Sequence, residues 1–421
     1  MKFGMNVKSK NLLKSLFRQY YRRNADKIFI PKNFANREFA FQLFDKQGMV
    51  RHLGFEKVEE IRNFILENVP RHAYYSTAIY ILPSASDMDE KGWLGAELVF
   101  DIDADHLDTP CKYEHDRWKC LNCGFEGAGP PPDKCPKCGS QNIEKFTWVC
   151  EKCIEAAKNE LIKLIEEFLI PDLGFKVSDL LIVFSGHRGF HLHIQCEDCL
   201  KLTSEERREI VDYIKAIGLK VELLLPKYKR RGEIVGIDLG EKGWRGKIAR
   251  KIFEKISLPN ESIREIVGDK AYTRLVENSE KIIREMSETT PKWTTLYKSL
   301  GPKGLTKLVK TIVDEIKCSV DEKVTIDTHR LIRLPGSLHG KTGLPVITLK
   351  GIGELEKFEL KPELSPFKGE ASIKLTKDIP SNLRLFGENV GGRKGTKLKL
   401  SLPTAIYLVA RELAEFEEIR K

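Results

Sequence analysis

Nowhere in these 421 residues does an apolar run approach the ~20 residues that cross a bilayer. The opening Met1-Lys2-Phe3-Gly4-Met5-Asn6 also lacks a hydrophobic signal region. These two absences predict a chain with no membrane role that stays in the cytoplasm. An acidic surplus is missing as well: 71 Lys plus Arg face 61 Asp plus Glu, for a net charge of +10. Such a balance favours a polyanionic partner through counterion release, although many soluble proteins are equally basic. The length predicts roughly two to three domains and a substantial core.

Cysteine, by contrast, is plentiful, and eight of the ten fall in C-x-x-C pairs. Cys120 and Cys123, then Cys135 and Cys138, sit in short Gly-containing turns around a Gly/Pro linker. Two such knuckles make a zinc ribbon, with four thiolates placed for a closed tetrahedral Zn²⁺ site in a structural role. Disulfides fit poorly with a reducing cytosol. A second candidate site surrounds the ribbon in Cys111, His115, Cys150 and Cys153. Its alternative is a buried Cys111 with two thiols at a helix start. Cys196 and Cys199 have no matching second half and read as unliganded thiols.

Chemistry concentrates in three further segments. Glu97-Leu98-Val99-Phe100-Asp101-Ile102-Asp103 is an apolar run ending in two carboxylates, which a strand would project from one face. Paired aspartates with a third carboxylate hold Mg²⁺ or Mn²⁺ in two-metal phosphoryl-transfer sites. Alone, the pair would equally be a strand running into a polar turn. Residues 179–195 read as a hairpin whose turn, Ser185-Gly186-His187-Arg188-Gly189, carries a hydroxyl, a guanidinium and two glycines suited to phosphate. His191 and His193 share a face of its second strand, without a carboxylate or cysteine to complete a metal site. Residues 321–341 supply Asp321 and Asp327 and then a basic, Gly-rich stretch with Arg330, Arg333, His339 and Lys341.

Together these segments resemble the small catalytic subunit of archaeal and eukaryotic DNA primases. The likeness rests on Val99-Phe100-Asp101-Ile102-Asp103, on Ser185-Gly186-His187-Arg188-Gly189-Phe190-His191, and on residues 331–343 from Leu331 to Gly343. A fourth match is Asn36-Arg37-Glu38-Phe39-Ala40-Phe41-Gln42-Leu43, followed by Arg51-His52-Leu53-Gly54-Phe55. The resemblance implies that Asp101, Asp103 and Asp321 bind two catalytic Mg²⁺ or Mn²⁺ ions. Asp321 is preferred to Asp327 because the family's third aspartate lies well upstream of its Ser-x-His element. Ser185, His187, Arg188, His191, Arg333, His339 and Lys341 would meet the nucleotide triphosphate, and Arg51 would approach from the N-terminal segment. His187 departs from the family, which often has another basic or polar residue there. The family's zinc motif, a Cys and His followed by a C-x-x-C that opens a helix, matches Cys111, His115, Cys150 and Cys153, so two zinc ions are implied. The resemblance further implies a heterodimer with a large primase subunit, a single-stranded DNA template and nucleoside triphosphate substrates. Nothing among the cysteines here calls for the large subunit's iron-sulfur cluster.

The expected fold is α+β (mixed α/β): a discontinuous catalytic core over 1–200 and 318–400, a zinc-binding module at 111–153, a helical subdomain at 202–317 and a C-terminal helix at 401–421. Within that subdomain, Lys227-Tyr228-Lys229-Arg230-Arg231 and Lys242-Gly243-Trp244-Arg245-Gly246-Lys247 are the densest basic patches, candidates for template contact or simply solvated faces. Gly391 to Gly395 reads as a linker. Two rival functions stay open: a primase-related repair or translesion polymerase, which needs a primer end, and a non-enzymatic zinc-ribbon protein that binds nucleic acid.

Overall fold

In the computed structural model, residues 5–225, 232–258 and 261–420 are described. The chain divides into two compact units, one of Met1–Ile162, Ser178–Arg208 and Val320–Lys421, the other of Lys163–Val177 and Glu209–Ser319.

The first unit is built on the hairpin that the sequence marks. Leu180–Phe184 and Gly189–Ile194 are rich in β-branched and aromatic residues, and they pair antiparallel from Leu180 opposite Ile194 to Phe184 opposite Phe190. Gly189 is needed where the turn rejoins the sheet, because a Cβ there would lie 2.1 Å from the Ile102 carbonyl oxygen. On one side the hairpin takes the aspartate strand Leu98–Asp103, with His191 opposite Asp101; on the other it takes Ile347–Leu349. The result is a four-stranded antiparallel sheet with the aspartate strand at its edge. Every residue of Gly189–Ile194 is buried, so both faces of this sheet are covered.

A second antiparallel sheet runs in the order Leu331–Arg333, Pro70–Ser76, Phe39–Leu43, Val50–Leu53. Helix Val7–Asn24, capped by the Asn6 side chain accepting from Ser9 N at 2.7 Å, buries Leu13, Leu16, Phe17, Tyr20 and Tyr21 at helical spacing. The ribbon forms a small sheet of Glu126–Ala128, Arg117–Cys120 and Ile143–Phe146. A third larger sheet has Glu370–Leu375 between Lys397–Ser401 and Ala414–Arg420.

The second unit holds helices and one isolated bridge, Val235 to Lys292, among its described residues. Lys247 lies 3.2 Å from Asp172, and Trp244 packs against Phe168 with ring centroids 5.5 Å apart. Lys242 to Lys247 therefore opens a packed helix, Gly243–Ser257, in which Trp244 and Lys247 are buried. Lys227 to Arg231 lies outside the described residues.

Several expectations are corrected. The C-terminal helix stops at Ala410, and 414–420 is a strand paired with Glu370–Leu375. Helix-forming Glu, Leu and Ala give way here to a partner strand some forty residues upstream. Gly391 to Gly395 is no loose linker: Gly392 bridges Ile379, and a Cβ at Gly391 would lie 2.4 Å from the Pro380 carbonyl oxygen. Cys196 and Cys199 are joined as a disulfide rather than standing as separate thiols. Among the described residues no helix is long and apolar enough to cross a membrane.

Candidate functional site

Asp101 and Asp103 sit at the end of their strand, and the chain returns to them at Asp321. The Asp321 N–H donates to the Asp101 carbonyl oxygen at 3.0 Å, while its carboxylate caps helix Glu322–Ile326 by accepting from Lys323 N at 3.0 Å. Asp327 instead accepts from His329 N at 2.9 Å. Burial pushes the Asp101 carboxyl up to about 8, and the charges of Asp103 and Asp321 add to the push against Arg330 and Arg333. Asp103 is raised by burial and by Asp105. This all-oxygen donor set, held at a cost in mutual repulsion, fits hard divalent ions such as Mg²⁺ or Mn²⁺. The three carboxylates do not converge on one point, and a site for two ions roughly 3.5–4 Å apart does not require it. His191 Nε2 lies 3.6 Å from Asp101 Oδ1.

Beside the aspartates, the 185–189 turn and the 336–344 loop lock together. Thr342 Oγ1 donates to the Gly186 carbonyl oxygen at 2.6 Å, and the His187 and His339 rings stack at 4.9 Å. Ser185 is buried, and its hydroxyl accepts from His187 N at 3.3 Å. Strand Pro70–Ser76 adds two residues with no local motif to announce them. His72 Nδ1 lies 2.7 Å from Arg333 Nη1 and accepts from Gly340 N at 3.2 Å, and Arg71 Nη2 donates to the Gly340 carbonyl oxygen at 3.2 Å. Burial, then the surrounding cations, holds the pKa values of His72, His187 and His339 well below the ordinary histidine value, so all three rings are neutral. Lys341, at the exposed rim, is lowered by partial burial and by Arg411, Arg333 and Arg71. Cations crowded together in this way make an anion site.

Two predicted phosphate ligands are placed otherwise. Arg188 is fully buried, with Nη1 3.2 Å from Asp116 Oδ2 and 3.1 Å from Asp105 Oδ1. Its guanidinium is paired with both of these carboxylates. Arg51 lies on the sheet edge opposite Arg333, three strand spacings or about 14 Å away. There it pairs with Glu38 at 3.0 Å.

Asp116 ties this region to the cysteines. Its Oδ1 lies 2.7 Å from His115 Nδ1, which leaves Nε2 3.4 Å from Cys153 Sγ. Cys111, His115, Cys150 and Cys153 offer donor atoms all within 4.8 Å of one another, and so do Cys120, Cys123, Cys135 and Cys138. Sulfur separations of 3.5 Å (Cys111 to Cys153) and 3.6 Å (Cys120 to Cys138, Cys123 to Cys135) approach the roughly 3.8 Å edge of a tetrahedron with 2.3 Å Zn–S bonds. Both clusters could bind zinc.

The sequence model described as "DNA primase small subunit" matches residues 132–349. The DNA primase small subunit PriS of Hyperthermus butylicus is 34% identical, covering 97% of this chain and 97% of its own length. Its counterpart in Pyrobaculum aerophilum is 34% identical over 97% of this chain and 99% of its own, and that in Nitrosopumilus maritimus 29% identical with the same coverage.

Proposed function

The chain belongs to the DNA primase small-subunit family, and from that premise we propose a catalytic subunit that starts short chains on single-stranded DNA by nucleotidyl transfer. It is an enzyme, a DNA-directed primase. The large-subunit partner follows from the small-subunit family, and cytoplasmic replication is its proposed setting.

The observation that carries the reading is the meeting of three carboxylates from 101, 103 and 321 with the 185–189 turn and the cation-bearing stretch at 330–341. Asp101, Asp103 and Asp321 would hold Mg²⁺ or Mn²⁺. When bound, such ions lower the pKa of an attacking 3′-hydroxyl and stabilise a departing pyrophosphate. His191, against Asp101, orients that carboxylate. Arg333 and Lys341 would face the triphosphate of the incoming nucleotide, with neutral His187 and His339 as hydrogen-bond partners and the Ser185 turn closing over it. Arg188 acts by fixing the turn, and Arg71 and His72 by holding the 339–341 loop. Most of the rate comes from positioning and electrostatics, because phosphoryl transfer leaves side chains little covalent work. Zn²⁺ would occupy both cysteine clusters in a structural role.

Primer-free synthesis on single-stranded DNA with labelled nucleotides, large subunit present, tests the proposal. Wild type should yield short products, and Asp101→Ala/Asp103→Ala should lose at least about a thousandfold in rate. A wild type that extends only an annealed primer would put the polymerase reading in its place.

A further inference from the structure

A cavity of about 900 Å³ in the first unit lies away from the aspartates, between the ribbon sheet and the C-terminal sheet. Its volume is at the upper end of the roughly 300–1,000 Å³ of ligand sites. Basic side chains reach it from both walls: Arg117 and Lys145 from ribbon strands, Lys377 and Arg393 from turns of the opposite sheet. None of these four makes an ion pair among the described residues, and Arg117 donates only to the carbonyl oxygens of Tyr113 and Asp116. Lys119, also on the wall, is matched by Glu126 at 2.6 Å.

Arg411 closes one end. Its guanidinium carbon lies 5.6 Å from the Phe146 ring centroid, and its Nε is buried without a hydrogen-bond partner. The residue before it is tied to the nucleotide loop, because Arg71 Nη2 donates to the carbonyl oxygens of both Gly340 and Ala410, at 3.2 and 3.5 Å. Arg411 thus links the cavity to the nucleotide loop, and the lining carries Glu144 and Asp378 alongside its cations.

We propose that this cavity is a second nucleic-acid site, which grips a single-stranded polynucleotide by its phosphates. Unpaired cations on opposing walls suit a backbone passing between them better than one compact triphosphate, and a positive groove is how single strands are tracked without regard to sequence. The assignment rests on the primase reading, which supplies the strand as template or new primer.

The test is binding of labelled oligothymidylate to the full chain, followed by fluorescence anisotropy across a salt series. Lys145→Ala/Lys377→Ala/Arg393→Ala removes three solvent-exposed cations, so circular dichroism should stay unchanged. Binding should weaken roughly tenfold, and the salt slope should fall by about two, from three contacts at about 0.7 each. The swap Lys145→Arg/Lys377→Arg/Arg393→Lys should restore it. Unchanged oligonucleotide affinity in the alanine variant overturns the proposal. So does unchanged affinity with a raised nucleotide KM, which would make the occupant a triphosphate. Binding needs no turnover: if primer synthesis fails but the alanine variant still loses oligonucleotide, the catalytic reading falls and this site stands.

Discussion

At the scale of single residues, Glu97 is a buried carboxylate that serves the fold, apart from the three proposed to hold metal. Glu97 lies 2.5 Å from Arg37 Nη2 and 2.9 Å from His193 Nδ1, all three essentially sealed from solvent. Burial alone would raise its pKa, but the His193 hydrogen bond and the Arg37 charge outweigh that and hold it below the ordinary value. A depressed folded-state pKa means stabilisation that is present above the unfolded value of about 4.3 and is lost as pH falls through the folded one. Glu97→Ala should therefore cost about 3–5 kcal/mol at neutral pH. In urea melts its deficit relative to wild type should narrow below about pH 4; a deficit that ignores pH would rule out the ion pair as its source. Arg188 gives a second test, because Asp116 is buried and Asp105 is 43% exposed. Asp116→Ala should lower the melting temperature clearly more than Asp105→Ala, and equal losses would contradict the ranking. Nothing local in the sequence revealed Arg188's fate, since its partner Asp116 lies 72 positions upstream. Arg71 and His72 were hidden for the same reason.

Elements were legible where local pattern and tertiary demand agree. The hairpin at 180–194 has two β-rich runs and a Gly-bounded turn, and nothing in the fold opposes it. Thr203-Ser204-Glu205-Glu206 has the sequence of a capping box and forms one, with Glu206 N donating to Thr203 Oγ1 at 3.3 Å and Thr203 N to Glu206 Oε2 at 2.7 Å. Ala414–Arg420 was not legible, because its helix-forming composition is overruled by pairing with Glu370–Leu375 across a bulge. The Ser185 turn carries its own prediction. Gly186 has φ +75°, and a Cβ there would lie 2.9 Å from His339 Cβ. Gly186→Ala should cost about 1–3 kcal/mol from backbone strain and push the His339 loop outward. Steady-state kinetics should then show nucleotide KM rising more than kcat falls, and an unchanged KM would separate the turn from nucleotide binding.

At the scale of the whole molecule, the two cysteine clusters differ in their access to solvent. Cys138 is exposed and Cys123 half-buried, whereas Cys111 and Cys153 are 3% and 0% exposed. Purified protein should release two zinc ions per chain to a coloured chelator, the ribbon's ion first and the other only as the protein unfolds. A single kinetic phase would mean that the clusters are not independent. The wide spacing of the site's parts has another consequence, one of time. Asp321 follows Asp103 by 218 positions, yet its N–H covers the Asp101 carbonyl on the edge of the aspartate strand. At about 5–20 residues per second of synthesis, the ribosome takes roughly 10–40 s to travel from one to the other. Once Gly189–Ile194 has been made and pairs with it, the aspartate strand keeps its outer edge uncovered until Asp321 arrives, the kind of surface on which polypeptides aggregate. That exposure therefore falls on the ribosome, before Asp321 has been translated.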